Sequence, residues 1–405
     1  MGAVNRAVFR QVRRRQNFRK TSTGLHWIKI LTPLIEHNNF TNSDFIHSTI
    51  RGLPTSLNRR NAMKRLFAVV LIVAAAVVWS VPMAVQAADY KPEYKLSTVV
   101  GKPFPWGIAG ERWAELVKEK TGGRINIKCY PGTSLVGGDQ TKEYTAIRQG
   151  AIDMAIGSTI NWSPQIKELN IFSMPFLMPD YKAIDALTGG EVGKEIFKIL
   201  ESKDTVPLAW GENGFRELSN SKRAIQKPED LKGLKLRVVG SPLFLDTFTA
   251  LGANPTQMSW ADAVPALSSG AVDGQENPLT IFTVAKLHSA ANQKYLTLWG
   301  YVADPLIFVV NKDVWKSWPP EDQKAVREAA QQAAKENIVD ARKGLIAPDD
   351  STIKEVEGLG VNVTKLTEAQ KAQFKKATKE VYDKWAKQIG PELVKKAEDS
   401  IAKRK

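Results

Sequence analysis

The chain has 405 residues, 57 Lys and Arg against 42 Asp and Glu, a formal charge of +15 and a single cysteine. That length suits two lobes better than one small core, and one cysteine excludes an intrachain disulfide or a cysteine-rich metal site. The positive charge does not argue for nucleic acid, because residues 1–62 alone hold about 11 Lys and Arg against 2 acids and Lys64-Arg65 adds two more, leaving a mildly basic remainder.

Met63-Lys64-Arg65, the apolar run Leu66–Val81, Pro82 and the small residues of Val85-Gln86-Ala87 have the order of a secretory signal. Cleavage is expected after Ala87, with an exported chain beginning near Ala88. The apolar run approaches membrane-spanning length, so an uncleaved anchor is the competing reading. Residues 1–62 carry no periodicity and no motif; they are expected to be a disordered extension ahead of the true start at Met63. Absence of a cysteine in the signal excludes a lipid anchor there, and a periplasmic location follows.

From Ala88 onward strands and helices alternate. Tyr94–Val100 reads as a strand, Glu111–Glu119 as a helix, Arg124–Tyr130 as a strand closed by Pro131-Gly132. Lys142–Gln149 is helical, and Ile152–Ile156 is a buried strand ending at Gly157. This rhythm predicts an α/β sheet with parallel strands. A second unit begins near Gly211, with a strand at Phe215–Ser219, a turn at Lys227–Leu231 and a strand at Leu234–Val239. Helices over Phe244–Leu251 and Ala261–Ser268 follow, then a strand ending at Asp273 and a helix after Pro278. Tyr295–Asn311 reads as two strands. Beyond Pro319-Pro320 the chain reads as helical to its end, and Glu321–Lys343 is long enough to join two lobes.

Enzyme motifs are missing. The exported region has one histidine, His288, so any Ser-His or Cys-His arrangement must use it. There is no nucleophile elbow, phosphate loop, dinucleotide fingerprint or metal-ligand spacing; no cofactor and no metal is expected. What stands out instead is Arg237, flanked by apolar residues in Leu234–Val239. An inward guanidinium there needs an anion, and its planar fork suits a carboxylate. A structural salt bridge or a solvated strand face would serve as well. Asn277 in Gly274-Gln275-Glu276-Asn277-Pro278 sits at a strand end, where α/β sheets bind ligands, though Asn-Pro is also an ordinary turn.

Several segments in register resemble the substrate-binding proteins of TRAP transporters, the DctP family: Asn213-Gly214-Phe215-Arg216-Glu217-Leu218-Ser219, Lys227–Val238, Met258-Ser259-Trp260, Gly270–Pro278 and Leu169–Leu177. The likeness covers essentially residues 91–400. It implies a two-lobed periplasmic-binding-protein fold (a Venus flytrap) with crossing strands and a long lobe-spanning helix. Lobe I would take 88–212 plus about 303–342, and lobe II 213–302 plus about 343–405. It implies that Arg237 grips a ligand carboxylate beside Asn277, that Trp260 packs on the ligand, and that Arg216 contributes a second cation. Contacts from the other lobe would come from Asp139 and from Ser158 and Thr159, with Trp106 and Trp162 as further candidates. Relatives specific for sialic acid would carry Glu and Arg where this chain has Ser158 and Asn161, so that branch is not implied. The expected function is capture of a small organic acid and its delivery to membrane subunits, with a C4-dicarboxylate as the default ligand. A receptor for 2-oxo or aromatic monocarboxylates, or one serving a sensory system, stays open, as does monomer against dimer.

Overall fold

The computed structural model describes residues 90–404 and Ala68; apart from Ala68, the expected signal at 63–87 and the extension 1–62 lie outside the described residues. Ten strands form one continuous sheet: β1 Tyr94–Ser97, β2 Ile127–Tyr130, β3 Met154–Ser158, β4 Thr205–Asn220, β5 Lys235–Val238, β6 Asn254–Gln257, β7 Gly274–Pro278, β8 Tyr295–Leu298, β9 Ala303–Asn311 and β10 Asn362–Lys365. The order is β2-β1-β3-β9-β4-β7-β5-β6, with β8 on β4 and β10 on β8. β1, β2 and β3 pair in parallel, as do β5 with β6 and with β7. The two parallel groups are the sheets of two lobes, and helices fill the crossovers, as a parallel sheet requires.

The lobes are joined by β4 and β9, which pair antiparallel over most of their length. β4 corrects the sequence expectation of a short strand at Phe215–Ser219: it runs for 16 residues. Its first part pairs β9 in one lobe, and Arg216–Asn220 pairs β7 in the other. The register slips at bulges between Pro207 and Ala209 and between Glu212 and Gly214, where proline and glycine are tolerated in a strand. Gly214 has φ +122°, a conformation that favours glycine, and stands where β4 passes from one sheet to the other. The strand expected to end at Asp273 instead occupies Gly274–Pro278, and β10 is the one described strand within the almost entirely helical C-terminal region.

The long helix forms as expected, over Pro320–Arg342 with Pro at its first turn. Ala329, Ala330, Ala333 and Ala334 are buried and let it lie against the helix Pro105–Lys120 and β4. Asn337 Oδ1 accepts from the Glu212 backbone N–H at 2.8 Å. A methyl on Gly211 would meet that oxygen at 2.7 Å, so the helix can dock here only on glycine. At its C-terminal end Arg342 holds Glu212 and Asp185, each at 2.6 Å. The closing helices Lys379–Ile389 and Pro391–Ala402 pack on Lys167–Ser173, and so touch the first lobe, while the former also meets Pro242–Ala250 of the second. None of the described helices is long and apolar enough to cross a membrane.

Candidate functional site

Strand ends from both lobes meet at a small cavity lined by Val99, Val100, Trp106, Gln140, Asn161 and, on the other side, Asn213, Arg216, Arg237, Val239, Trp260, Asn277, Ile281 and Asp304. Its volume is about 20 Å³, enough for a water and too little for an organic acid. The lobes are closed over it: Gln140 Oε1 accepts from the Trp260 N–H at 3.0 Å, and the Ser163 hydroxyl donates to that of Ser241 at 3.1 Å. A larger groove of about 640 Å³ runs past Pro175, Lys375, Tyr382 and Ile401, but it contains no buried unpaired polar group, and we place no site there.

Arg237 is the centre of the cavity's electrostatics. β5 is an interior strand between β6 and β7, which leaves Arg237 1 % exposed. Its Nε donates to the Met258 carbonyl at 3.0 Å, its guanidinium lies 5.9 Å from the Trp260 ring centre, and its Nη1 is buried with no partner. Among the described residues no carboxylate lies within ion-pair distance of it. Burial draws its pKa down to about 10, so it is still a cation at neutral pH. A buried charge without a counter-ion is expensive. Asn277, in register opposite Glu217 on β4, lines the same cavity and donates through Nδ2 to Gln275.

Arg216 lines the cavity too, but it is not free. Nε pairs with Glu276, Nη2 donates to the Glu276 carboxylate and carbonyl at 2.9 and 2.7 Å, and Nη1 reaches Asp304 Oδ2 at 3.1 Å. Burial opposes the charged guanidinium, but Glu276 and Asp304 outweigh it and raise its pKa. Tyr301 donates to Glu276 Oε2 at 2.9 Å. The second cation expected at this position is therefore present but already neutralised.

The remaining expected residues separate. Trp260 and Trp106 line the cavity; Trp162 is buried behind it, donating to Glu143. Ser158 does not line the cavity: its hydroxyl donates to Asp304 Oδ1 and accepts from the Ile160 N–H. Thr159 is fully buried with its hydroxyl unpartnered, away from the cavity wall. Asp139 lies outside, in a neighbouring cleft with Gly138, Met258 and Ala261, and is held by Thr141 and Lys142. His288 does not line the cavity; it lies beside Phe282. Sequence reasoning missed Asp304, Glu276, Asn213 and Gln140. Asp304 is the second residue of the crossing strand β9, opposite Gly214; its only sequence signal is an acid near the head of an apolar strand.

Comparison with known proteins agrees with this architecture. The model for bacterial extracellular solute-binding protein family 7 (DctP) matches residues 96–388. A solute-binding protein of Verminephrobacter eiseniae is 34 % identical over 284 residues, 70 % of this chain and 82 % of that one. The 2,3-diketo-L-gulonate-binding periplasmic protein of Escherichia coli is 31 % identical over 72 % of this chain and 87 % of its own. The crystal structure of a TRAP periplasmic solute-binding protein from Ralstonia eutropha with bound (S)-2-acetolactate is 68 % identical; the match covers 78 % of this chain and 100 % of that one, with a TM-score of 0.77.

Proposed function

The chain belongs to bacterial extracellular solute-binding protein family 7, the DctP family, and on that premise we propose that it is the periplasmic receptor of a TRAP-type transporter, capturing a small organic carboxylate and handing it to the membrane subunits. One observation carries this reading: Arg237, buried and charged, with an unpartnered Nη1 at the wall of a cavity between two lobes. Only an anion supplied from outside gives that guanidinium the partner its burial requires.

In the proposed cycle the lobes part about the β4–β9 crossing, since the closed cavity has no room for an acid. The ligand carboxylate settles on Arg237, with Asn277 beside it, and Trp260 covers the guanidinium. Closure excludes water and strengthens the pairing. The ligand drives closure only by as much as it prefers the closed form, and the Gln140–Trp260 and Ser163–Ser241 bonds are available to that form alone. The secretory signal read at Met63–Ala87 would place the receptor in the periplasm. No reaction is required of any residue at the cavity.

Relatives bind acids: the Ralstonia protein holds (S)-2-acetolactate and the Escherichia coli protein is named for a diketo sugar acid. Thermal unfolding of the purified, ligand-stripped protein against a panel of carboxylates, (S)-2-acetolactate included, tests the reading. An acid at a thousand times its dissociation constant should stabilise by about 4 kcal/mol, a shift of several degrees. A folded sample that responds to no acid would refute it.

A further inference from the structure

Three buried charged side chains, Arg216, Arg237 and Asp304, line the cavity and a fourth, Glu276, pairs with Arg216, and their pairing decides what charge a ligand can bring. Arg216 is contacted at Nε and Nη2 by Glu276 and at Nη1 by Asp304; both acids are about 1 % exposed. Asp304 is built in as firmly as the arginine it faces. Oδ1 accepts from Ser158 and Oδ2 from Asn213 at 2.8 Å as well as from Arg216. Both acids are therefore spent on Arg216, and Arg237 is the cation of this group whose hydrogen-bonding capacity is unspent.

Resting on the receptor reading above, we propose that Asp304 is the specificity-determining residue that restricts this site to monocarboxylates and turns dicarboxylates away. A monoanion meets Arg237. A second carboxylate would enter beside Asp304 and Glu276 with no free guanidinium to receive it, and a like charge in a desolvated site is costly. Burial raises the pKa of Asp304, against the Arg216 charge and the hydrogen bonds from Asn213 and Ser158 that favour its charged form. The rest of the wall is consistent with a compact monoacid. Gln140, Asn161 and Asn277 are neutral groups suited to hydroxyl or keto oxygens, and Val99, Val100 and Ile281 present an apolar side for methyl groups. This departs from the default C4-dicarboxylate that the family resemblance implies, because that default needs Arg216 free.

The test uses two ligands of one shape and different charge: (S)-2-acetolactate, and 2-hydroxy-2-methylmalonate, in which a carboxylate oxygen replaces the acetyl methyl. Titration calorimetry with the wild-type protein at pH 7.5 should give a preference of about a hundredfold or more for the monoanion, the scale of a buried uncompensated charge. Asp304→Asn keeps the shape and the bonds to Asn213 and Ser158 within reach while removing the charge, and should narrow the ratio at least about tenfold. Equal affinities in the wild-type protein, or an unchanged ratio in a folded Asp304→Asn, overturn the charge rule and leave the receptor reading standing. Binding of neither ligand nor any other acid removes the receptor reading and this inference with it. The wild-type ratio decides the matter even if the variant fails to fold.

Discussion

Arg216 on β4 and Arg237 on β5 stand on the wall of one cavity, both about 1 % exposed, and their surroundings differ completely. Around Arg216 the chain supplies two carboxylates, a carbonyl and a tyrosine hydroxyl bonded to one of those carboxylates. Around Arg237 it supplies a carbonyl, an aromatic face and nothing for Nη1. The first arrangement is self-sufficient and belongs to the fold: it ties β7 and β9 to β4 where the two sheets meet. The second is incomplete by one anion. Burial and residue type do not distinguish a structural arginine from a binding one; the partner inventory does.

The comparison can be broken most severely at Arg216. Arg216→Met strands Glu276 and Asp304 in the interior without a counter-charge, and should lower unfolding free energy by about 3–5 kcal/mol, read as a fall in the denaturant midpoint. Arg237→Ala should do the reverse. With no ion pair to lose, the ligand-free protein keeps its stability, while acid affinity drops by more than about a hundredfold, roughly 2–5 kcal/mol, in calorimetry. If Arg237→Ala destabilises the free protein as much as Arg216→Met, the distinction between the two is wrong.

A smaller effect sharpens the same point with the opposite charge. Glu143 is fully buried against Ser97 and Trp162 with no cation, and burial pushes its pKa up to about 7 despite hydrogen bonds from both. The folded state then holds a proton that the unfolded state releases from about pH 4.5 upward. Stability from this group is complete below that pH and is lost as pH rises through about 7. Glu217, bonded by the N–H groups of Trp299 and Gly300, is likewise raised to about 7, and slopes the same way. Thermal midpoints should therefore decline between pH 5 and 7, and Glu143→Gln should flatten part of that decline, by about 2 kcal/mol. A midpoint that rises over this interval would contradict both assignments.

Much of the fold was legible because it is local. Apolar spacing and Pro-Gly punctuation located β1, β2, β3 and β5 and several helices, including the 23-residue helix opened by Pro320, but not β6. The motifs around Asn213–Ser219, Leu234–Val239 and Gly274–Pro278 identified the family, and with it the cavity positions of Arg237, Asn277, Arg216 and Trp260. What was missed depends on partners distant in sequence. β4 reads only as a short strand at Phe215–Ser219 because its neighbour β9 alone shows that the preceding residues, with bulges between Pro207 and Ala209 and between Glu212 and Gly214, continue one long strand. Ser158 reads as a ligand hydroxyl until Asp304, 146 residues away, is found accepting from it.

The sequence by itself determined the lobes' alternating architecture, the family, and that Arg237 lies in a strand flanked by apolar residues, since periodicity and motif spacing are properties of the chain read in order. Only the tertiary structure decided that Arg216 is satisfied and Arg237 is not. Coulomb energy depends on separation in space, and Asp304, 88 residues from Arg216 along the chain, comes within 3.1 Å of it only because β4 and β9 cross side by side.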